Sequence, residues 1–130
     1  MATWDDVRDA VAALPETFEQ SDRTWRVAKK PLVWARPLRP ADHRELGEAA
    51  PQGPILGARV PDLEAKEELL TRAPHVYFTT SHFDGYPIVL ALLERIDIDE
   101  LQDLVVEAWL AQAPKRVAAA WLESHPDGPT

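Results

Sequence analysis

The residues most able to do chemistry lie in one loop, Thr79 to Pro87. Hydroxyls, an imidazole and a carboxylate follow one another there, and His82, Asp84 and Tyr86 are the side chains that could exchange protons with a substrate. Neighbouring side chains alone do not predict a catalytic triad, because they point apart and the third group must come from elsewhere in the fold. The alternative is a structured turn, in which Asp84 and the following glycine bend the chain and His82 donates to a backbone carbonyl. We favour the turn.

Metal and cofactor chemistry has little support in the sequence. Cysteine is absent, which excludes thiolate zinc sites, disulfides and a cysteine nucleophile. The histidines do not show the paired helical spacing of a metalloprotease; they are His43, His75, His82 and His125. No glycine-rich phosphate loop occurs. The sequence therefore predicts a protein that is not an enzyme and that uses no metal and no cofactor.

Positive charge is concentrated in residues 23 to 44, although the chain is acidic overall. The net charge is −8, from 14 Lys and Arg against 22 Asp and Glu. The stretch holds seven cationic residues and one acid, a local charge of +6, so the remainder carries −14. It predicts either a phosphate-binding patch or a solvated hairpin balanced by acidic helices. The candidate anion-binding residues are Arg23, Arg26, Lys29, Lys30 and Arg36, with Lys115 and Arg116 from a later helix.

Caps, prolines and periodicity divide the chain into elements that would position these residues. Helices are predicted over 4–14, 42–48, 62–73, from Asp97 or Asp99 to 111, and from Pro114 through Trp121. Strands are predicted over 24–27, 32–35, 55–60, 75–80 and 88–96. This order, α-β-β-β-α-β-β-α plus a C-terminal helix, predicts a two-layer α+β fold whose mostly antiparallel five-stranded sheet is packed by helices on one face.

The first two of these strands predict a hairpin with residues 28–31 as its loop. In that register Trp25 lies opposite Trp34 on the buried face, and Arg23 lies opposite Arg36. Two like charges directly opposite would require an anion or a carboxylate between them, or the end of the strands.

Length and composition predict one domain over residues 1–124, followed by a flexible tail over 125–130. No apolar run approaches the roughly 20 residues that span a bilayer, and the N-terminal residues do not resemble a signal peptide. We therefore expect a cytoplasmic protein without membrane contact. The sequence does not predict an oligomeric state.

Several segments resemble the MmcQ/YjbR family. The longest runs from His75 through Thr79-Thr80-Ser81-His82-Phe83-Asp84-Gly85-Tyr86-Pro87 to Leu90. Others are Thr3-Trp4-Asp5-Asp6-Val7-Arg8, Gly53-Pro54-Ile55-Leu56, Ala108-Trp109 and Ala113-Pro114-Lys115-Arg116. The resemblance implies a small α+β fold related to secretion-chaperone-like domains. It also implies DNA binding through a double-wing arrangement, in which the 23–36 hairpin would be one wing.

These observations lead to two hypotheses of different kinds. The first is a non-enzymatic binding module that contacts the DNA phosphate backbone through the basic hairpin. Such binding would depend little on sequence, because no predicted helix is rich enough in Arg and Lys to contact bases in a major groove. The alternative is an adaptor or chaperone-like domain that binds an acidic protein segment or self-associates through a strand edge.

Overall fold

The computed structural model describes residues 1–126 and has an α+β architecture. Its helices are α1 (Trp4–Ala12), α2 (Pro40–Leu46), α3 (Leu63–Arg72), α4 (Ile98–Gln112) and α5 (Lys115–Ser124). Its strands are β1 (Thr17–Ser21), β2 (Thr24–Val27), β3 (Lys30–Ala35), β4 (Ile55–Arg59), β5 (Tyr77–Phe78) and β6 (Ile88–Leu92). Two 3₁₀ turns, Gly47–Ala49 and Ser81–Phe83, complete it.

The strands form one antiparallel sheet in the order β1-β2-β3-β4-β6-β5. The sequence predicted five strands, and the sixth is β1, which pairs with β2 at the edge of the sheet. Most of its side chains face solvent, and Phe18 is 47% exposed. An edge strand of this kind lacks the apolar alternation by which strands are recognised, which is why it was missed.

The β2–β3 turn is tighter than predicted. Val27 pairs with Lys30, so the connection is two residues long instead of four. Ala28 takes a positive φ of 53°, which the primed two-residue hairpin turns require and which glycine or asparagine usually supplies. With alanine there, the sequence lacked the usual signal for a two-residue turn.

The shorter turn separates the two hairpin tryptophans. Trp25 pairs with Val33 and is buried beneath the helices. Trp34 pairs with Thr24 and with Gly57 on the opposite face, so the predicted tryptophan pair is wrong. A side chain at Gly57 would place its Cβ 2.6 Å from the Trp34 indole nitrogen. Because Gly57 has no Cβ, the Trp34 indole can pack directly over the β4 backbone on this second face of the sheet.

Helices α1 and α4 pack on one face of the sheet and enclose the main core. Side-chain caps start three helices: Thr3 for α1, Asp62 for α3 and Asp97 for α4. A smaller apolar cluster of Ile55, Phe83 and Leu90 lies on the second face of the sheet. The predicted two-layer arrangement is thus confirmed, with a partial cover on the other face.

The last helix extends to Ser124, three residues beyond the predicted end. His125, expected in a flexible tail, stacks on Trp121 with ring centroids 4.1 Å apart. The rest of that predicted tail, residues 127–130, lies outside the described residues. No helix between residues 1 and 126 combines the length and apolar character needed to cross a membrane.

Candidate functional site

Five of the cations predicted to bind phosphate belong to elements that lie at one end of the sheet. The Gln112 side chain donates from Nε2 to the Pro31 carbonyl over 3.0 Å, which fixes the end of α4 against the β2–β3 turn. Lys29 and Lys30 are exposed on that turn, and α5 begins three residues after Gln112. We call this cluster the basic end; it comprises Arg26, Lys29, Lys30, Lys115 and Arg116.

Arg26 joins the basic end through its own hydrogen bonds. Its side chain lies half-buried on β2 and donates from Nη1 to the Lys29 carbonyl over 3.1 Å. A further bond to the Gln20 side chain ties it to β1. The guanidinium therefore braces the turn that presents the two lysines.

Arg23 and Arg36 do not belong to the basic end. Arg23 lies in the β1–β2 turn, at the opposite end of β2, where its guanidinium sits 5.1 Å from the Trp4 ring centroid. Arg36 is only 5% exposed, so it cannot present its charge on an outer surface as the wing hypothesis expected. The predicted facing pair of these arginines also does not form, because Arg36 follows β3 and hydrogen-bonds to Ile55.

Arg36 instead forms a buried ion pair with the only acid of the basic stretch. Its Nη1 lies 3.1 Å from Oδ2 of Asp42, which is 3% exposed, and also donates to the Pro37 carbonyl. Burial raises the pKa of Asp42, but the hydrogen bond from the Arg39 amide and the contact with Arg36 outweigh it and hold the pKa below its usual value. The carboxylate is therefore ionised at neutral pH.

The loop that contains His82 is held from two sides. Glu45 on α2 accepts hydrogen bonds from the Ser81 amide and hydroxyl, the latter over 2.7 Å. The buried ammonium of Lys66 on α3 donates to the carbonyls of Phe83 and Tyr86 over 2.7 and 3.0 Å. Burial lowers the pKa of Lys66. These contacts make the loop a fixed part of the fold.

The three side chains singled out in that loop are all exposed: His82, Asp84 and Tyr86. In the described part of the chain no hydrogen bond joins them, and His82 packs its edge against Phe83 with centroids 4.8 Å apart. Between residues 1 and 126 no three His, Asp or Glu residues come together as metal ligands. In the described structure, His82, Asp84 and Tyr86 therefore do not form a nucleophile and base within reach of each other.

A cleft with a volume of about 400 Å³ lies beside the C-terminal end of β3. Its lining includes Trp34 of β3, Arg36 and Arg39 from the chain after β3, and His82 and Phe83 from the polar loop. The Arg36 guanidinium carbon lies 5.1 Å from the Phe83 ring centroid. One end of the predicted basic stretch and the predicted polar loop therefore meet in this cleft.

Three mycobacterial proteins are similar to this chain along nearly their whole length. They are the uncharacterized proteins Rv2570 and MT2646 of Mycobacterium tuberculosis and Mb2600 of Mycobacterium bovis. Each is 50% identical over 125 residues, which is 94% of this chain and 97% of the relative. The chain belongs to their family.

The fold of this family is also found in a solved structure. Deinococcus radiodurans protein DR2400, a DUF419 domain, superposes with a TM-score of 0.62 at 19% identity, over 95% of this chain and 88% of that one. At that identity the likeness shows a common fold and nothing about function. No family model matches the sequence.

Two residues that hold the site were not singled out from the sequence of this family member. Lys66 is buried on α3, and its partners lie 17 and 20 residues away. Glu45 lies 36 residues from Ser81. A lysine on the apolar side of α3 was the one available signal, because buried lysines are rare without partners.

Replacing Lys66 with methionine should free the His82 loop. Methionine keeps much of the apolar stem but removes two hydrogen bonds donated by the Lys66 ammonium, so we expect stability to fall by about 1–3 kcal/mol. Amide exchange at Asp84 and Tyr86 should quicken, because these amides close the turns that Lys66 holds. Lys29→Met, at an exposed position, is the control; equal exchange rates in both variants would contradict the tethering role.

Proposed function

We propose that this chain is a non-enzymatic binding module of the MmcQ/YjbR type that holds the phosphate backbone of DNA at its basic end. The observation that supports this most directly is the Gln112–Pro31 hydrogen bond. This bond holds the end of α4 against β3, which supports a common binding region for cations from the hairpin and from α5, more than 80 residues apart in sequence. The DUF419 fold and the sequence segments that resemble MmcQ/YjbR proteins support the family type.

Part of the negative charge behind the net value of −8 lies at the other end of α4, away from the basic end. Asp97, Asp99 and Glu100 lie at its first turn, and Asp6 and Asp9 of α1 lie beside that half of the helix. A rise of about 1.5 Å per residue places that turn roughly 20 Å from the last one. This exceeds the screening length of about 8 Å at physiological salt, so the acids repel a DNA strand at the basic end only weakly.

The basic end would act through charge and not through base contacts. Lys29, Lys30, Lys115 and Arg116 are exposed on a turn and a helix start, where they can contact phosphates on either side of a groove. Binding should then vary little with sequence and fall steeply with salt, since each neutralised phosphate releases counterions.

Two double variants test this function: Lys29→Glu/Lys30→Glu in the hairpin and Lys115→Glu/Arg116→Glu in α5. A fluorescent duplex of random sequence would be titrated at several salt concentrations. Each variant should weaken binding and reduce the slope of log K against log salt by about 2, roughly one for each lost phosphate contact.

The matched control is Arg44→Glu/Arg95→Glu, which changes net charge equally at exposed positions away from the basic end. It should bind DNA nearly as the native protein does. Equal weakening in all three variants would mean that only total charge matters. If the native protein does not bind at low salt either, DNA is not the ligand and an acidic protein segment becomes the stronger candidate.

A further inference from the structure

We propose that the cleft at the end of β3 is a binding site for a small oxyanion, a carboxylate or phosphate monoester, attached to a flat ring. The cleft lies at the opposite end of β3 from the basic end, so this site is separate from the DNA surface proposed above. Its volume of about 400 Å³ falls within the range of small-molecule sites.

The charge around the cleft selects for an anion. Arg36, Arg39 and His82 line it, while no Asp or Glu is among the described residues that form it. Arg39 and His82 are exposed at the rim, where they can meet a ligand first. Asp42 pairs with Arg36 and neutralises part of its charge, but Asp42 is not among the residues that line the cleft. Arg39 and His82 at the rim remain available to bind the anion.

Arg36 also has a donor that the protein leaves unused. Its Nη1 is bonded to Pro37 and Asp42, but its Nη2 is buried and has no hydrogen-bond partner in the described part of the chain. Such a group is costly to bury, and a guanidinium fork pairs well with a carboxylate or phosphate. A ligand oxygen that reached Nη2 from the cleft, which Arg36 lines, would satisfy it.

The remaining lining selects for a flat apolar group. The Trp34 indole lies on the second face of the sheet, and Phe83 packs against the Arg36 guanidinium. Trp34, Phe83, Leu38 and Pro40 all line the cleft with apolar surface. A ring packed against these side chains would bury apolar area that an inorganic anion cannot bury. A ligand that carries both a ring and an anionic group should therefore bind more tightly than the ring or the anion alone.

Titration of ¹⁵N-labelled protein with phenyl phosphate tests the site. We expect shifts at Trp34, including its indole N–H, and at residues 36–39 and 81–83. Inorganic phosphate and phenol should each bind at least about tenfold more weakly, since each lacks one of the two contacts. Benzoate in the same titration would show whether a carboxylate serves as well as a phosphate.

Variants at the exposed rim distinguish the site from general charge attraction. Arg39→Gln and His82→Gln should each weaken phenyl phosphate binding about five- to tenfold, as loss of a charge-assisted hydrogen bond would. Lys115→Gln, which removes an exposed cation at the basic end, should leave binding unchanged. Shifts centred on the basic end, equal weakening by Lys115→Gln, or no shift at millimolar ligand would overturn the proposal.

A short oligonucleotide identifies the source of the anion. If a 5′-phosphorylated tetrathymidylate binds the cleft more tightly than phenyl phosphate, the natural ligand is a nucleic-acid end. If it binds more weakly, the ligand is a free ring-bearing anion. Loss of DNA binding in Lys29→Glu/Lys30→Glu together with unchanged phenyl phosphate binding would show that the two proposed surfaces are independent.

Discussion

Replacing Asp42 with alanine is expected to lower the free energy of unfolding by about 3–5 kcal/mol. Asp42 and Arg36 are 3% and 5% exposed, and the alanine would leave a buried guanidinium without its counter-charge. It would also remove the acceptor for the Arg39 amide, the hydrogen bond that starts α2. Urea unfolding followed by circular dichroism would measure the loss.

A second variant separates the charge from the packing. Arg36→Met/Asp42→Leu removes both charges, and it should recover much of the stability that Asp42→Ala loses, because apolar replacements of buried ion pairs are often neutral or better. If Asp42→Ala cost less than about 1 kcal/mol, the pair would be solvated and the buried arrangement would be incorrect.

The same pair gives native stability a definite pH dependence. Because the folded-state pKa of Asp42 is below the unfolded value of about 3.9, the folded protein binds fewer protons in that range. The stabilisation that ionised Asp42 gives the folded state is complete above the unfolded-state pKa. It is lost as the pH falls through the folded-state pKa. An Asp42→Asn variant should therefore lose less stability on acidification than the native protein does.

Local signals in the sequence predicted the helices well. The caps at Thr3 and Asp97 and the proline before Lys115 are where the structure has them, because such signals act within one turn of the chain. The hairpin register was wrong for a local reason too, since Ala28 adopts a positive φ that alanine rarely takes.

Burial of individual cations could not be predicted from the density of charge. Seven cations in 22 residues suggested one exposed surface, but Arg36 turns inward to Asp42 and Arg23 lies at the other end of its strand. The single acid within the stretch, Asp42, could have indicated that one of the cations is buried, because a cation is rarely buried without a partner such as a carboxylate.

The long-range contacts that assemble both proposed surfaces had no sequence signal. Gln112 lies 81 residues from Pro31, and Lys66 lies 17 residues from Phe83. Each bond joins a side chain to a backbone carbonyl, and any residue can supply a carbonyl. Only the fold determines which one comes within reach.

Replacing Trp109 with alanine should cost about 3–5 kcal/mol, the other large effect that we expect. Trp109 is completely buried on α4 and packs against Trp121, with ring centroids 5.6 Å apart. Its indole N–H donates to the Pro15 carbonyl over 2.9 Å. The alanine would therefore leave a large cavity and an unpaired carbonyl in the same place.

Trp109→Phe isolates the hydrogen bond, because it keeps an aromatic ring but loses the N–H. It should cost less than the alanine variant, and the half-buried Trp4→Ala should also cost less; urea unfolding would rank the three. Trp109 and Gln112 lie one turn apart on α4, and they donate to the carbonyls of Pro15, just before β1, and of Pro31 in β3. Loss of Trp109 should therefore loosen the basic end and weaken the proposed DNA binding even though no proposed phosphate contact is removed. If Trp109→Phe binds DNA as the native protein does while its stability falls, the basic end depends on Gln112 alone for its shape.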